Sequence, residues 1–245
     1  MLEKLTDRIY FLAGEQRTDR PYLYYINGDS QSLAIDAGNS KRHVEKFYRA
    51  LEELGLGKPA YTVLTHWHWD HTFGMHTVAG KTIASFLTNQ KLKEIQNWEW
   101  TEPKMREREA RGEDIAFCND CILCEYENLQ DITIVPADMA LNEKMEIDLG
   151  GIHCVLEPHD STHSRDSLFV YIPEEKVLVV GDADCEDSYG DGKYDQEKLI
   201  NMIAYIESFD FSHYVIGHGA ARSRKEAMDF LHEQLEQATS VQTEA

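Results

Sequence analysis

One stretch, Tyr61-Thr62-Val63-Leu64-Thr65-His66-Trp67-His68-Trp69-Asp70-His71, constrains the chain more than any other. Its first four residues form an apolar run of strand length. Four potential metal ligands follow within six residues: His66, His68, Asp70 and His71. Mixed imidazole and carboxylate donors suit zinc, iron or manganese far better than calcium. A buried strand leading into such a loop puts the ligands just past its carboxyl end, where open α/β sheets carry their active sites. It also holds them more rigidly than a free loop could.

Further apolar runs read as strands at Ile9–Leu12, Tyr22–Ile26, Leu33–Ile35, Ile132–Val135, Ile152–Leu156, Leu168–Ile172, Val177–Val180 and Tyr214–Ile216. Val44, Phe47, Leu51 and Leu54 share one helical stripe, with Asn39 or Ser40 placed to cap it and Gly55, Gly57 and Pro59 to end it. Leu199, Ile203 and Ile206 mark a second helix. Met228, Leu231 and Leu235 mark a third, opened by the capping-box pattern Ser223-Arg224-Lys225-Glu226. Alternating strands and helices predict a layered α/β fold. The expected organisation is one domain over residues 1–239, followed by a polar tail at 240–245. Phe86–Gln130 is highly charged and has no strand pattern; it reads as a helical insertion or lid.

Two segments echo each other. Leu33-Ala34-Ile35-Asp36 leads through a helix to Tyr61–Leu64 and His66, and Val177–Val180, Gly181 and Asp182 lead through a helix to Tyr214–Ile216 and His218. Each reads strand, Asp, helix, strand, His, which suggests two similar halves meeting at one site. Gly181, Gly217 and Gly219 flank ligand candidates and let the backbone turn sharply there. His163 lies directly before the run Leu168–Ile172.

Charge narrows the partners. Lys plus Arg number 24 against 44 Asp plus Glu, a formal net charge of −20. Such a surface repels polyanions, so nucleic acid and anionic membranes are not expected as partners. The expectation is a small-molecule substrate, with the oligomeric state left open, a homodimer included. No apolar run approaches the ~18 residues a membrane span requires. With no apolar signal core at the N-terminus, the default location is the cytoplasm. Five cysteines, an odd number, argue against a disulfide framework. Cys118, Cys121 and Cys124 are spaced for thiolate ligation, but a helix would also put residues three apart on one buried face.

Thr65 to Gly74, the lone His163, Val179-Val180-Gly181-Asp182 and Gly217-His218-Gly219 together resemble, in order, the signature of the metallo-β-lactamase-fold hydrolases. The resemblance runs from about Leu5 to Gly219. It implies a four-layered αββα sandwich with the site at one edge. Carried over residue by residue, it assigns His66, His68 and His163 to one metal and Asp70, His71 and His218 to a second, with Asp182 bridging. Two cations ~3.5–4 Å apart would hold a water and lower its pKa toward neutrality, generating a hydroxide for hydrolysis. Asp70 is the candidate catalytic residue, orienting that hydroxide or passing on its proton. Two divalent ions are implied, zinc foremost, with iron or manganese as alternatives.

Departures from known members narrow the reading. The intact His-x-His-x-Asp-His loop and Asp182 set the chain apart from β-lactamases. His68 stands where flavodiiron oxygen reductases carry Glu. The ligand set matches hydroxyacylglutathione hydrolases, but Asp182 is followed by Ala183-Asp184-Cys185-Glu186-Asp187 instead of their Phe and Gly-rich, Arg-containing stretch. Cys185 occupies the place of a tyrosine common in lactonases of this fold. The expected function is hydrolysis of a small thioester, lactone or other ester. A phosphodiesterase, a mononuclear-iron persulfide dioxygenase and a non-catalytic metal-dependent sensor are the alternatives.

Overall fold

The structure is a computed structural model, describing residues 1–190 and 192–243. Among these described residues, thirteen strands fall into two sheets. The first comprises β1 (Glu3–Lys4), β2 (Ile9–Leu12), β3 (Leu23–Asn27), β4 (Ser32–Ile35), β5 (Tyr61–Val63), β6 (Lys81–Ser85) and β7 (Met139–Leu141), in that order. The second has the order β13 (Arg222–Ser223), β12 (His213–Ile216), β11 (Val177–Gly181), β10 (Ser167–Ile172), β9 (His153–His159), β8 (Met145–Asp148).

Period-2 alternation sorts the side chains into layers. Tyr24 and Ile26 face inward with Leu33, Ile35 and Val63, against Leu156, Leu168, Val170, Val177, Val179 and Val215 of the other sheet. Leu23 and Tyr25 point the opposite way, onto Phe47, Ala50 and Leu51 of helix α1 (Lys41–Glu53). On the far face of the second sheet, Leu178, Val180 and Tyr214 are covered by Leu199, Met202 and Ile206 of α6 (Gln196–Glu207) and Leu231 of α7 (Arg224–Thr243). The result is the αββα sandwich the sequence predicts.

Ser40 caps α1 by accepting a hydrogen bond from the His43 amide. The Ser223 box closes reciprocally, its amide donating to Glu226 Oε2 at 2.8 Å and its Oγ accepting from the Glu226 amide at 3.3 Å. Residues 86–130 form α3 (Phe86–Ile95), α4 (Glu102–Ala110) and α5 (Ala116–Glu125) around a separate apolar cluster. Helix α7 continues through 243, so 240–243 are helical where a tail was expected; residues 244 and 245 lie outside the described residues.

The strand expected at Ile132–Val135 does not form. That segment runs into Pro136 and packs its apolar side chains on the insertion, and the ladder position beside β6 goes to β7. Strands β1, β6, β7, β8 and β13, which are short or mixed in polarity and which the sequence does not predict, complete the sheets.

Candidate metal centre

Strands β4 and β5 run parallel, as do β11 and β12, and all four end at the same edge of the sandwich. The ligand loop leaves β5 there. His66 and His68, two residues apart in that loop, enter the same donor group. The short helical turn α2 (Trp69–Thr72) then swings Asp70 and His71 around. The Thr72 hydroxyl fixes the bend by donating to the His68 carbonyl at 2.9 Å. From the second sheet come Asp182 after β11, His218 after β12, and His163 from the turn between β9 and β10.

All seven predicted residues come together, in two groups. His66, His68 and His163 form one; Asp70, His71, Asp182 and His218 form the other. Within each group, one donor atom per residue lies within 4.8 Å of the others. The groups adjoin, with the His66 and His71 ring centroids 4.2 Å apart. The flanking glycines are demanded by space. Gly181 has φ +60°, and a Cβ there would meet Thr65 at 2.7 Å. A Cβ on Gly217 would lie 2.0 Å from Asp182 Oδ1.

The outer ring nitrogens are tied down, which fixes the inner ones. His66 Nδ1 lies 3.1 Å from Thr65 Oγ1, and His163 Nδ1 2.7 Å from the Glu186 carbonyl. His71 Nδ1 lies 2.8 Å from Asp36 Oδ2. Inward, His163 Nε2 lies 3.0 Å from His68 Nδ1. His71 Nε2 is 2.9 Å from Asp70 Oδ2 and 3.3 Å from Asp182 Oδ2. His218 Nε2 is 2.9 and 3.4 Å from the same two oxygens.

The electrostatics of the groups differ. Burial holds His66 and His68 well below the ordinary histidine range, so both are neutral donors. In the second group burial opposes charge, yet Asp70, Asp36 and Asp182 outweigh it and hold His71 well above that range. Against the same burial, Asp182 and Asp70 push His218 up to about 11. Asp70 and Asp182 are correspondingly held below the carboxylate range by the two imidazoles, against burial.

Divalent cations fit these residues. His66 Nε2 is fully buried without a hydrogen-bond partner, an arrangement that is costly unless something else engages it. The carboxylates of the second group favour positive charge at His71 and His218, a charge that a bound cation would supply in place of protons.

Other candidates fall outside the groups. Trp69 packs in the insertion cluster, whereas Trp67 lines a cavity beside His68. His76 bonds the Phe73 carbonyl. Cys118 and Cys121 are buried on α5, and no cysteine belongs to either donor group. Sequence reasoning noticed Asp36 only as part of the echo and missed its place behind His71. Asp19, with Oδ1 3.6 Å from His218 Nδ1, had no signal of any kind.

Two cavities flank the centre. One, of 440 Å³, is lined by Gln16, Asp19, Arg20, Tyr22, Phe117 and His218. The other, of 300 Å³, reaches His68 and His163 and is walled by Trp67, Leu87, Lys91, Arg165 and Tyr189. No described helix is long and apolar enough to cross a membrane.

No curated protein matches the chain. Among solved structures, a metallo-beta-lactamase from Pontibacter korlensis is 15% identical with a TM-score of 0.65, over 96% of this chain and 97% of that one. A metallo-beta-lactamase family protein from Thermus thermophilus is 14% identical with a TM-score of 0.69, over 97% and 81%. The stereoselective inverting sec-alkylsulfatase from Pseudomonas sp. is 14% identical with a TM-score of 0.68, over 97% of this chain but 41% of the sulfatase. These identities speak for the fold alone. The family model described as the metallo-beta-lactamase superfamily matches residues 18–229, which takes in every residue of the two donor groups, and the chain belongs to that superfamily.

Proposed function

We propose that the protein is a metal-dependent hydrolase of a small-molecule thioester, lactone or other ester, working with two divalent cations, zinc foremost and iron or manganese by the same donor chemistry. One observation carries the reading: two complete, adjoining donor groups, one of three imidazoles and one of two imidazoles and two carboxylates. When bound, such cations make water a nucleophile near neutral pH and polarise the bond it attacks.

The chain's own residues supply the rest. His66, His68 and His163 would hold one cation, Asp70, His71 and His218 the other, and Asp182, a member of the second group, would be shared between them. Asp70 presents Oδ2 at the junction of His71 and His218, where a carboxylate can orient a water and accept its proton. The two cavities give the acyl and leaving portions of a substrate separate seats on either side. Tyr189, Trp67 and Phe117 supply apolar surface there that keeps bulk water away. Lys91 and Arg165 in the smaller cavity favour a phosphodiester as the second reading.

Metal analysis combined with a panel of thioesters, lactones and phosphodiesters tests the proposal. Two metals with ester or thioester turnover is the expected result. One iron with oxygen uptake on a persulfide would replace hydrolysis by dioxygenation. A loaded protein that turns over nothing but retains a partner would make it a sensor. An Asp70→Ala protein with full metal content and full turnover would remove Asp70 from its role.

A further inference from the structure

Among the described residues, three that are not glycine take left-handed backbone: Asp19 (φ +51°), Asp36 (φ +63°) and Lys176 (φ +51°). Lys176 closes the turn before β11, at the end of that strand remote from the donor groups. The other two are both aspartates at the candidate centre. A side chain in this region strains the backbone, and such residues gather where function over-determines them.

For Asp36 the reason is visible. Its carboxylate accepts from the Thr65 amide at 2.8 Å and lies 2.8 Å from the outer nitrogen of His71. Asp19 has no such structural task. Its amide closes the short helical turn Gln16–Thr18, but its side chain has no hydrogen bond among those described. The neighbouring Arg20 is turned elsewhere, onto Glu125 at 2.8 Å and Glu15 at 3.6 Å. What the Asp19 carboxylate faces is His218: Oδ1 lies 3.6 Å from Nδ1, on the wall of the larger cavity. His218 turns its other nitrogen to Asp70 and Asp182, as His71 does. Asp19 thus stands to His218 as Asp36 stands to His71. At 3.6 Å the contact is one of charge and orientation more than a closed hydrogen bond.

We propose that Asp19 is a positioning residue that orients the His218 ring from its outer nitrogen and thereby retains the cation of the Asp70–His71–Asp182–His218 group. Carboxylates behind ligand histidines fix the tautomer and ring direction and raise ligand basicity. The inference rests on the reading that this group binds a metal. The strained backbone at Asp19 is then tolerated for the aim it gives the carboxylate.

Two variants separate these ideas. Asp19→Gly removes both the carboxylate and the strain. Asp19→Asn keeps a side chain that accepts left-handed backbone and removes only the charge. Metal-free wild type and both variants are titrated with zinc against a competing chelator, and their thermal midpoints are measured without metal. The wild type should bind two ions. In Asp19→Gly the first affinity should hold while the second falls by about 10- to 100-fold, the range for lost outer partners. Its metal-free midpoint should stay level or rise. Asp19→Asn should show the same selective loss, smaller in size. Variants that bind both ions within twofold of wild type would overturn the proposal and leave the hydrolase reading intact. A fall in both affinities together with a lower midpoint would make Asp19 merely structural and overturn it as well. A wild type that binds fewer than two ions would overturn the metal reading, and the proposal with it.

Discussion

Glu125 ends α5, and its side chain is 1% exposed. Oε1 accepts from Arg20 Nη2 at 2.8 Å and from Ser40 Oγ at 2.5 Å. Ser40 caps α1, and Arg20 follows Asp19 in the loop beside His218. One carboxylate therefore fastens the helical insertion to both. Glu125→Ala would leave the Arg20 guanidinium, 13% exposed, with only Glu15 at 3.6 Å. Breaking one side of a buried pair costs about 3–5 kcal/mol. The half-exposed Arg42, 3.6 Å away, adds little once solvent screening is counted. Glu125→Gln keeps the shape and loses the charge, a cost of about 1.5–3 kcal/mol for a charge-assisted hydrogen bond. The pH dependence has a definite sign. Burial would raise this carboxyl, but Arg20 and Ser40 outweigh it and hold it below the usual glutamate range. Its contribution is therefore complete above the unfolded value of about 4.3 and is lost as pH falls through the lower folded value. Urea unfolding followed by tryptophan fluorescence at pH 7, 5 and 3.5 measures it. The gap between wild type and Glu125→Gln should hold from pH 7 to 5 and narrow at 3.5, with the m-value unchanged. Equal midpoints at pH 7, or a gap that widens in acid, would refute the reasoning.

Asp36→Ala removes the acceptor of the Thr65 amide and the partner of His71, so stability should fall by about 1–3 kcal/mol in urea melts. Zinc affinity of the second group should drop about 10- to 100-fold in a chelator competition. Gly217→Ala puts a methyl group 2.0 Å from Asp182 Oδ1 and 2.9 Å from His71 Cε1. It should cost the second ion, read as metal content per chain, and lower the melting midpoint. Removing metal from the wild type should destabilise it by about 4 kcal/mol per ion, about 8 kcal/mol for two, relative to protein held at a thousandfold excess of free metal over each Kd, a difference that calorimetry with and without chelator detects.

How much of this is legible in the sequence depends on which force places each residue. Strands β4, β5, β10, β11 and β12 are buried apolar runs, and their ends bring six of the seven donors to one edge. His163 precedes β10 just as directly. Period and position therefore bring out these candidates, while their grouping into one centre comes from the resemblance. Strands β6 and β8 carry polar residues in their runs and do not announce themselves. The extended Ile132–Val135 looks like a strand because its apolar side chains are buried, but they are buried against helices. The insertion supplies Leu87, Lys91 and Phe117 to the two cavities through α3 and α5, whose faces toward the site have no repeating pattern. Specificity is hidden for that reason. Asp19 is hidden for another: a single acid among 44 acidic residues gains meaning only from its left-handed backbone and from the ring it faces.

The echo between the halves has a physical consequence at His71. In both, a strand ends, the chain turns out of the sheet, and an aspartate sits at the turn. In the first half Asp36 itself takes the left-handed conformation, and its carboxylate comes to rest behind His71, 2.8 Å from Nδ1. In the second half the left-handed residue is Gly181, one position earlier, and the next residue, Asp182, projects in front of the same ring, 3.3 Å from Nε2. No larger residue could make that turn, because Thr65 fills the space a Cβ would need. One imidazole is thus held between the two corresponding aspartates, one orienting it and the other sharing its donor group. A shift of one residue in the position of the turn separates the two roles. The two halves therefore meet at a single ring: losing Asp36 should loosen the aim of His71, whereas losing Asp182 should remove a member of its donor group and leave that aim intact.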